Sequence, residues 1–173
     1  MPLPDLSHLQ GQESIHIMMV CLGNICRSPM AAAVLATRAR EIKEITIEVS
    51  SSGTSSWHIG QGPNPPSLRV WERAGYRHSH VASQIDQERI NKSDLILVMD
   101  AQNHANVVAL ADPRDRAKIH YLRDFDLGGD GREVPDPYGH GDEAFEEVLS
   151  MVERSVAGLL TALGVASPSG TSR

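Results

Sequence analysis

Two cysteines in 173 residues exclude a disulfide-stapled scaffold and point to a reducing, cytoplasmic setting. Basic residues are in the minority, with 16 lysines and arginines against 22 aspartates and glutamates and a formal charge of −6. A general nucleic-acid binder carries the opposite balance, so no nucleic-acid partner is expected. No apolar stretch approaches the roughly 20 residues needed to cross a bilayer, so no membrane partner is expected either. The opening "MPLPDLSHLQGQES" lacks a basic patch followed by an apolar core and does not read as a secretory signal; export without a recognisable signal is left open. Aromatics are also scarce, with two Trp, three Tyr and two Phe, so an aromatic in a loop calls for an explanation. None of these absences excludes a small anionic ligand, because a site can be locally positive on an acidic protein.

Hydrophobic residues make up 40% and charged ones 22% of the chain, which suits one soluble domain with its own core. Residues 1–14 and 166–173 are polar or small and read as flexible tails around a single domain at 15–165. "IHIMMV" (Ile15–Val20) is almost continuously apolar, as expected of a strand buried on both faces. Further strands are expected at Ile45–Thr54, Asp94–Asp100 and Ala117–Leu122, and helices over "MAAAVLATRAR", Ser67–Gly75 and "AQNHANVVALA". Phe145, Val148, Leu149, Val152, Val156, Leu159, Leu160 and Leu163 recur at three- and four-residue steps, one stripe of a final amphipathic helix. Such alternation predicts an α/β fold: a single domain, a central four-stranded parallel sheet and helices on both faces. Ligands of these folds bind at the carboxyl ends of the strands.

Both cysteines fall at the end of the first strand, in "VCLGNICRSPMA". Successive N–H groups of a tight strand-to-helix loop can form an anion cradle, reinforced by the helix N-terminus. A phosphate-binding loop is therefore expected here. A thiol at its base, Cys21, would be favoured as thiolate by the same field. Arg27 adds a planar cation suited to two phosphate oxygens. Gly23 permits close backbone approach, and Asn24 is among the few residues that accept a left-handed conformation. Ser28 can donate a hydrogen bond to the Cys21 sulfur and, with Pro29, is expected to open the helix. The stretch supplies a nucleophile, an oxyanion cradle and a cationic clamp, but no proton donor. A cysteine pair without a second pair or nearby histidines makes a poor zinc site, so neither metal nor cofactor is expected.

The string "CLGNICRSP" resembles the signature loop of the low-molecular-weight protein tyrosine phosphatases, Cys-x5-Arg-Ser near the N-terminus. The resemblance extends to "SSGTSSWHIG" (Ser51–Gly60), "SHVASQI" (Ser79–Ile85), "DLILVMD" and "DPYG" (Asp136–Gly139), in the family's order over residues 15 to about 165. It implies hydrolysis of phosphotyrosine on proteins through a phosphocysteine on Cys21. Arg27 and the loop Leu22, Gly23, Asn24, Ile25, Cys26 and Ser28 would hold the phosphate, and Asp136 would serve as general acid and base. Trp57 and Tyr138 would line the pocket mouth, Leu22 and Ile25 its apolar wall, and His58 would contact substrate. Either Ser51 or Ser52 is expected to hold Asn24, and His80 to be structural. Isoleucine at position 25, where members resembling protein-arginine phosphatases carry threonine, favours phosphotyrosine. The implied partners are phosphotyrosine proteins, a tyrosine kinase of the same cell among them, with inorganic phosphate as product.

Cys26 has two readings: packing beneath the loop, or a reversible disulfide with Cys21 on oxidation. The sequence departs from the family at Ser83, where arginine is frequent, and at Gly139, where many members have a second tyrosine. A thioredoxin-coupled arsenate reductase would need further cysteines after Cys26, and there are none. A dead phosphoprotein-binding module is disfavoured by the joint presence of Cys21, Arg27, Ser28 and Asp136.

Overall fold

A computed structural model describes residues 2–165, so the expected tail at 166–173 lies outside the described residues. Four parallel strands, β1 (Ser14–Cys21), β2 (Thr46–Gly53), β3 (Leu95–Val98) and β4 (Ile119–Tyr121), lie in the order β2-β1-β3-β4. Strand pleating splits the apolar runs between two cores. Ile15, Ile17, Met19 and Cys21 join Leu95 and Leu97 in the larger core, whereas Met18 and Val20 join Ile96 and Val98 in the smaller. The larger core is covered by α1 (Arg27–Ala39), α2 (Pro65–Arg73) and the long C-terminal α5 (Asp142–Ala162). The smaller is covered by α3 (Gln87–Lys92) and α4 (Ala101–Leu110). Every member of the predicted stripe from Phe145 to Leu163 is buried, each worth about 1.5–3 kcal/mol when fully removed from water.

Several boundaries differ from the expected ones, each for a local reason. The segment before β1 is not loose: Leu6 and Leu9 are buried in the larger core, and Gln10 donates from its side chain to the Ala162 carbonyl at 3.0 Å. Helix α1 begins at Arg27 rather than Ser28, with Cys26 as its uncapped flanking residue. Helix α2 begins at Pro65, since two prolines in a first turn forfeit no hydrogen bond. Strand β3 is shorter than Asp94–Asp100, and both aspartates turn their side chains to backbone N–H groups at its ends. Asp94 accepts from the His16 N–H at 2.8 Å, and Asp100 caps α4 by accepting from the Asn103 N–H at 2.8 Å. Helix α3 was not foreseen; Asp86 starts it by accepting from the Arg89 N–H at 2.8 Å.

The chain leaves β1 for β2 on one side and later returns to β3 on the other, so the strand order reverses at β1 and β3. A crevice opens at such a point above the carboxyl ends. The loop after β1 sits there, as does Asp100 after β3. Among the described residues, no helix is long and apolar enough to cross a membrane.

Candidate active site

The loop after β1 is held from outside by five backbone carbonyl groups, those of Cys21, Leu22, Asn24, Ile25 and Cys26. The Cys21 carbonyl accepts from the Thr54 N–H at 2.9 Å, and the Leu22 carbonyl from the Ser55 N–H and hydroxyl, each at 3.0 Å. The Asn24 carbonyl accepts from His80 Nε2 at 2.6 Å, the Ile25 carbonyl from the Asn64 N–H at 2.8 Å and the Cys26 carbonyl from the Ser67 hydroxyl at 2.8 Å. In a trans peptide the N–H lies opposite the C=O. Anchoring these carbonyls outward therefore turns the N–H groups of Leu22, Gly23, Ile25, Cys26 and Arg27 to the concave side. The uncapped start of α1 adds its positive dipole end to the same space.

Asn24 makes the tight turn possible. It sits at φ 57°, the one non-glycine residue among those described with positive φ, and is fully buried. Its side-chain NH2 donates to the Ser28 hydroxyl at 2.7 Å and to the Ser51 hydroxyl at 3.0 Å, while Oδ1 accepts from the Ser83 N–H at 2.9 Å. These bonds offset the roughly 1–2 kcal/mol that a left-handed residue costs. Ser51, not Ser52, supports the turn. Alternation along β2 puts Ser52 on the opposite face, where its hydroxyl meets Met18 Sδ at 3.4 Å. Gly53 is required, because a Cβ there would stand 2.8 Å from the Leu22 carbonyl oxygen. At Ser83, where the sequence departs from the family, the backbone N–H serves Asn24 and the hydroxyl donates to the Ser51 carbonyl at 3.3 Å.

Cys21 is buried at the end of β1, with its sulfur 3.0 Å from the Ser28 hydroxyl. Since Ser28 already accepts from Asn24, its single proton is free to point at sulfur. Arg27 is 3% exposed. Its Nη1 donates to Asp100 Oδ2 at 2.7 Å and to the Val134 carbonyl at 2.9 Å, and its Nη2 lies 3.9 Å from Asp136 Oδ2. Burial works against the guanidinium, but the neighbouring Cys21, Asp100 and Asp136 outweigh it and hold Arg27 above its ordinary range. Cys26 behaves oppositely: burial first, then Cys21 and Asp136, push its thiol up to about 12. It is a packed thiol in the larger core.

Asp136 arrives from the long segment between β4 and α5. Its Oδ1 accepts from the Tyr138 N–H at 3.1 Å, and half of its side chain faces solvent. Trp57 and Tyr138 are 70% and 57% exposed, and His58, half-buried, lies against Gly23. Leu22 is half-buried, and Ile25 is buried in the cluster that also holds Cys21. His80 is a support: burial lowers its basicity although the Asn24 carbonyl works the other way, and Nε2 carries the donated proton. Sequence reasoning missed Asp100 and Val134, which fix the Arg27 fork. The one available signal was an aspartate at the end of "DLILVMD".

The fold and this loop define a cysteine-based phosphatase class, and comparison with known proteins narrows it. Residues 16–167 match the family described as low molecular weight phosphotyrosine protein phosphatase. A low molecular weight protein-tyrosine-phosphatase of Streptomyces coelicolor is 40% identical over 151 residues, covering 85% of this chain and 92% of the relative. Low molecular weight protein-tyrosine phosphatase A of Mycobacterium tuberculosis is 36% identical over 152 residues, covering 85% and 90%. The crystal structure of YfkJ from Bacillus subtilis superposes with a TM-score of 0.81 at 32% identity, covering 89% of this chain and 97% of that one. A protein tyrosine phosphatase from Entamoeba histolytica, with Hepes in its active site, gives 0.83 at 30%, covering 87% and 97%. The chain belongs to the low molecular weight protein-tyrosine-phosphatase family and is an enzyme of that class.

Proposed function

We propose that the protein hydrolyses phosphotyrosine on proteins with Cys21 as nucleophile, Arg27 and the loop amides as phosphate clamp, and Asp136 as general acid and base. The observation that carries this reading is the Arg27 fork: Asp100 and the Val134 carbonyl fix one nitrogen, and the other faces Asp136 at 3.9 Å. In the first step Cys21 sulfur bonds to phosphorus as the bond to the tyrosyl oxygen breaks, and Asp136 gives that oxygen its proton. The transferred phosphoryl group spreads its charge over oxygens facing Arg27 and the loop N–H groups. In the second step Asp136 takes a proton from water, which attacks phosphorus; inorganic phosphate leaves and the thiolate returns, eased by the Ser28 proton. Trp57 and Tyr138 would flank the aryl group, with Leu22 and His58 beside it. The residue at position 25, isoleucine, favours phosphotyrosine over phosphoarginine.

Protein substrates, a tyrosine kinase among them, and a cytoplasmic location belong to the same reading. So does metal independence. Oxidation of Cys21 by a peroxide to a sulfenic acid and water, followed by condensation with the Cys26 thiol to a disulfide and a second water, would protect the nucleophile reversibly. Hydrolysis of an aryl phosphate in the presence of a chelator tests the core of the proposal. Turnover is expected to vanish in Cys21→Ser, and full activity there or a metal requirement overturns it. Recovery by thiol after peroxide, lost in Cys26→Ala, tests the disulfide; unchanged recovery overturns that part.

A further inference from the structure

Asp136 is poorly held where it stands. Its immediate partners are the turn to Tyr138 and the 3.9 Å approach of Arg27, and the segment from residue 126 to 141 contains no helix or strand. The alignment of its carboxyl group must be inherited from residues upstream. Glu133 and Val134 are the pinned ones. The Val134 N–H donates to the Met99 carbonyl at 2.7 Å, the Glu133 side chain accepts from the Ala101 N–H at 2.8 Å, and Arg123 Nη1 donates to the Glu133 carbonyl at 2.8 Å.

Arg123 lies outside the phosphate site, yet its side chain is only 7% exposed. A buried guanidinium is expensive to desolvate unless its charge and donors are met, and apolar side chains would often fill such a place at less cost. Here Asp126, whose side chain is fully buried, accepts from Arg123 Nε at 3.3 Å and from Arg154 of α5 at 3.0 and 3.1 Å. Two glycines admit the arrangement. A Cβ on Gly129 would collide with Arg123 Nη2 and Asp126, and one on Gly158 of α5 would collide with the Phe125 carbonyl. Charged contacts thus run from α5 through Asp126 and Arg123 to the backbone three residues before Asp136.

We propose that Arg123 is a positioning residue for the proton transfer by Asp136, acting by fixing the Glu133 peptide through the Asp126–Arg154 ion network. The proposal rests on the reading of Asp136 as general acid. A positioned acid matters most when the leaving oxygen is most basic, so kcat/KM across aryl phosphates of rising leaving-group pKa is the measurement. Asp136→Asn is expected to steepen that dependence. Arg123→Met, which keeps the buried stem, is expected to lose about tenfold with phenyl phosphate and under about threefold with p-nitrophenyl phosphate. Adding Arg123→Met to Asp136→Asn is expected to cause no further loss, since the two act in one step.

A wild-type dependence in Arg123→Met beside a steep one in Asp136→Asn overturns the positioning role alone, as do losses that multiply in the double variant. An unchanged dependence in Asp136→Asn removes the general-acid reading and the positioning role with it. Should Arg123→Met not fold, Arg154→Met at a partly exposed helix position loosens the same carboxylate. It is expected to steepen the dependence in the same direction by about twofold with phenyl phosphate, and no change there overturns the proposal.

Discussion

The loop of residues 22–28 and the segment carrying Asp136 meet at Arg27 but are built on opposite principles. In the first, Asn24 is buried with both ends of its amide engaged, and five carbonyls are tied to surrounding chain. In the second, the reactive carboxyl group is half exposed and is steered from Glu133 and Val134. The contrast follows from what each must do. Donors that stabilise developing charge are effective only if they need no reorganisation, so their peptides are fixed beforehand. An acid that first protonates a leaving group and then activates water must remain reachable by both, so its anchor is displaced along the chain.

Arg27→Ala breaks both regions at once and carries the largest expected effect, a loss in kcat/KM of about 10³ or more, since it removes the clamp and the partner of Asp136. Steady-state kinetics with an aryl phosphate checks it. Asp136→Asn separates the regions: kcat/KM falls by about 10² or more while inhibition by inorganic phosphate at neutral pH stays within about threefold. Asn24→Ala does the reverse in kind. It leaves the Ser28 and Ser51 hydroxyls and the Ser83 N–H without their partner, and should weaken phosphate inhibition and lower stability by about 2 kcal/mol in urea denaturation.

Acid titration of stability gives the smallest effects and assigns a different window to each region. Burial depresses His80, so its contribution is complete above the unfolded value of about 6.5 and declines as pH falls from there towards the lower folded value. Asp126 is buried, which acts to raise it, yet Arg154 and Arg123 hold it below the usual carboxylate range. Its contribution is complete above about 3.9 and is lost as pH falls through the lower folded value. Urea denaturation from pH 8 to 2.5 should therefore show two declines, the upper flattened in His80→Gln and the lower in Asp126→Asn. A single decline common to both variants contradicts the assignment. Thiol chemistry sharpens the same contrast: with its thiol raised to about 12 by burial, Cys26 should escape alkylation at pH 7.5 in the native protein and react after denaturation, as read by mass spectrometry.

Much of the fold was legible from side-chain pattern. Nearly continuous apolar runs marked the central strands β1 and β3, which are covered on both faces, alternation and β-branching marked the edge strand β2, and the stripe from Phe145 to Leu163 marked the last helix. Local conflicts were less readable. Leu6 and Leu9 are scattered apolar residues in a polar stretch, and only the larger core of the folded chain makes burying them worthwhile. Asp86, which starts α3, is an ordinary aspartate until Arg89 folds back onto it.

By itself the sequence determined the chemistry available: a thiol, an arginine and a serine at fixed spacing after a buried strand, and an aspartate held between two prolines. Bonding along the chain and the sterics of a tight turn are enough to set that spacing. Tertiary structure decided which groups complete it. The parity of β2 selected Ser51 over Ser52, and strand order placed Asp100 beside Arg27. The fold also brought Val134 and, through Arg123, Glu133 to the rear of the acid segment. Those choices depend on parallel register and on contacts between residues far apart in the chain, which no local pattern encodes.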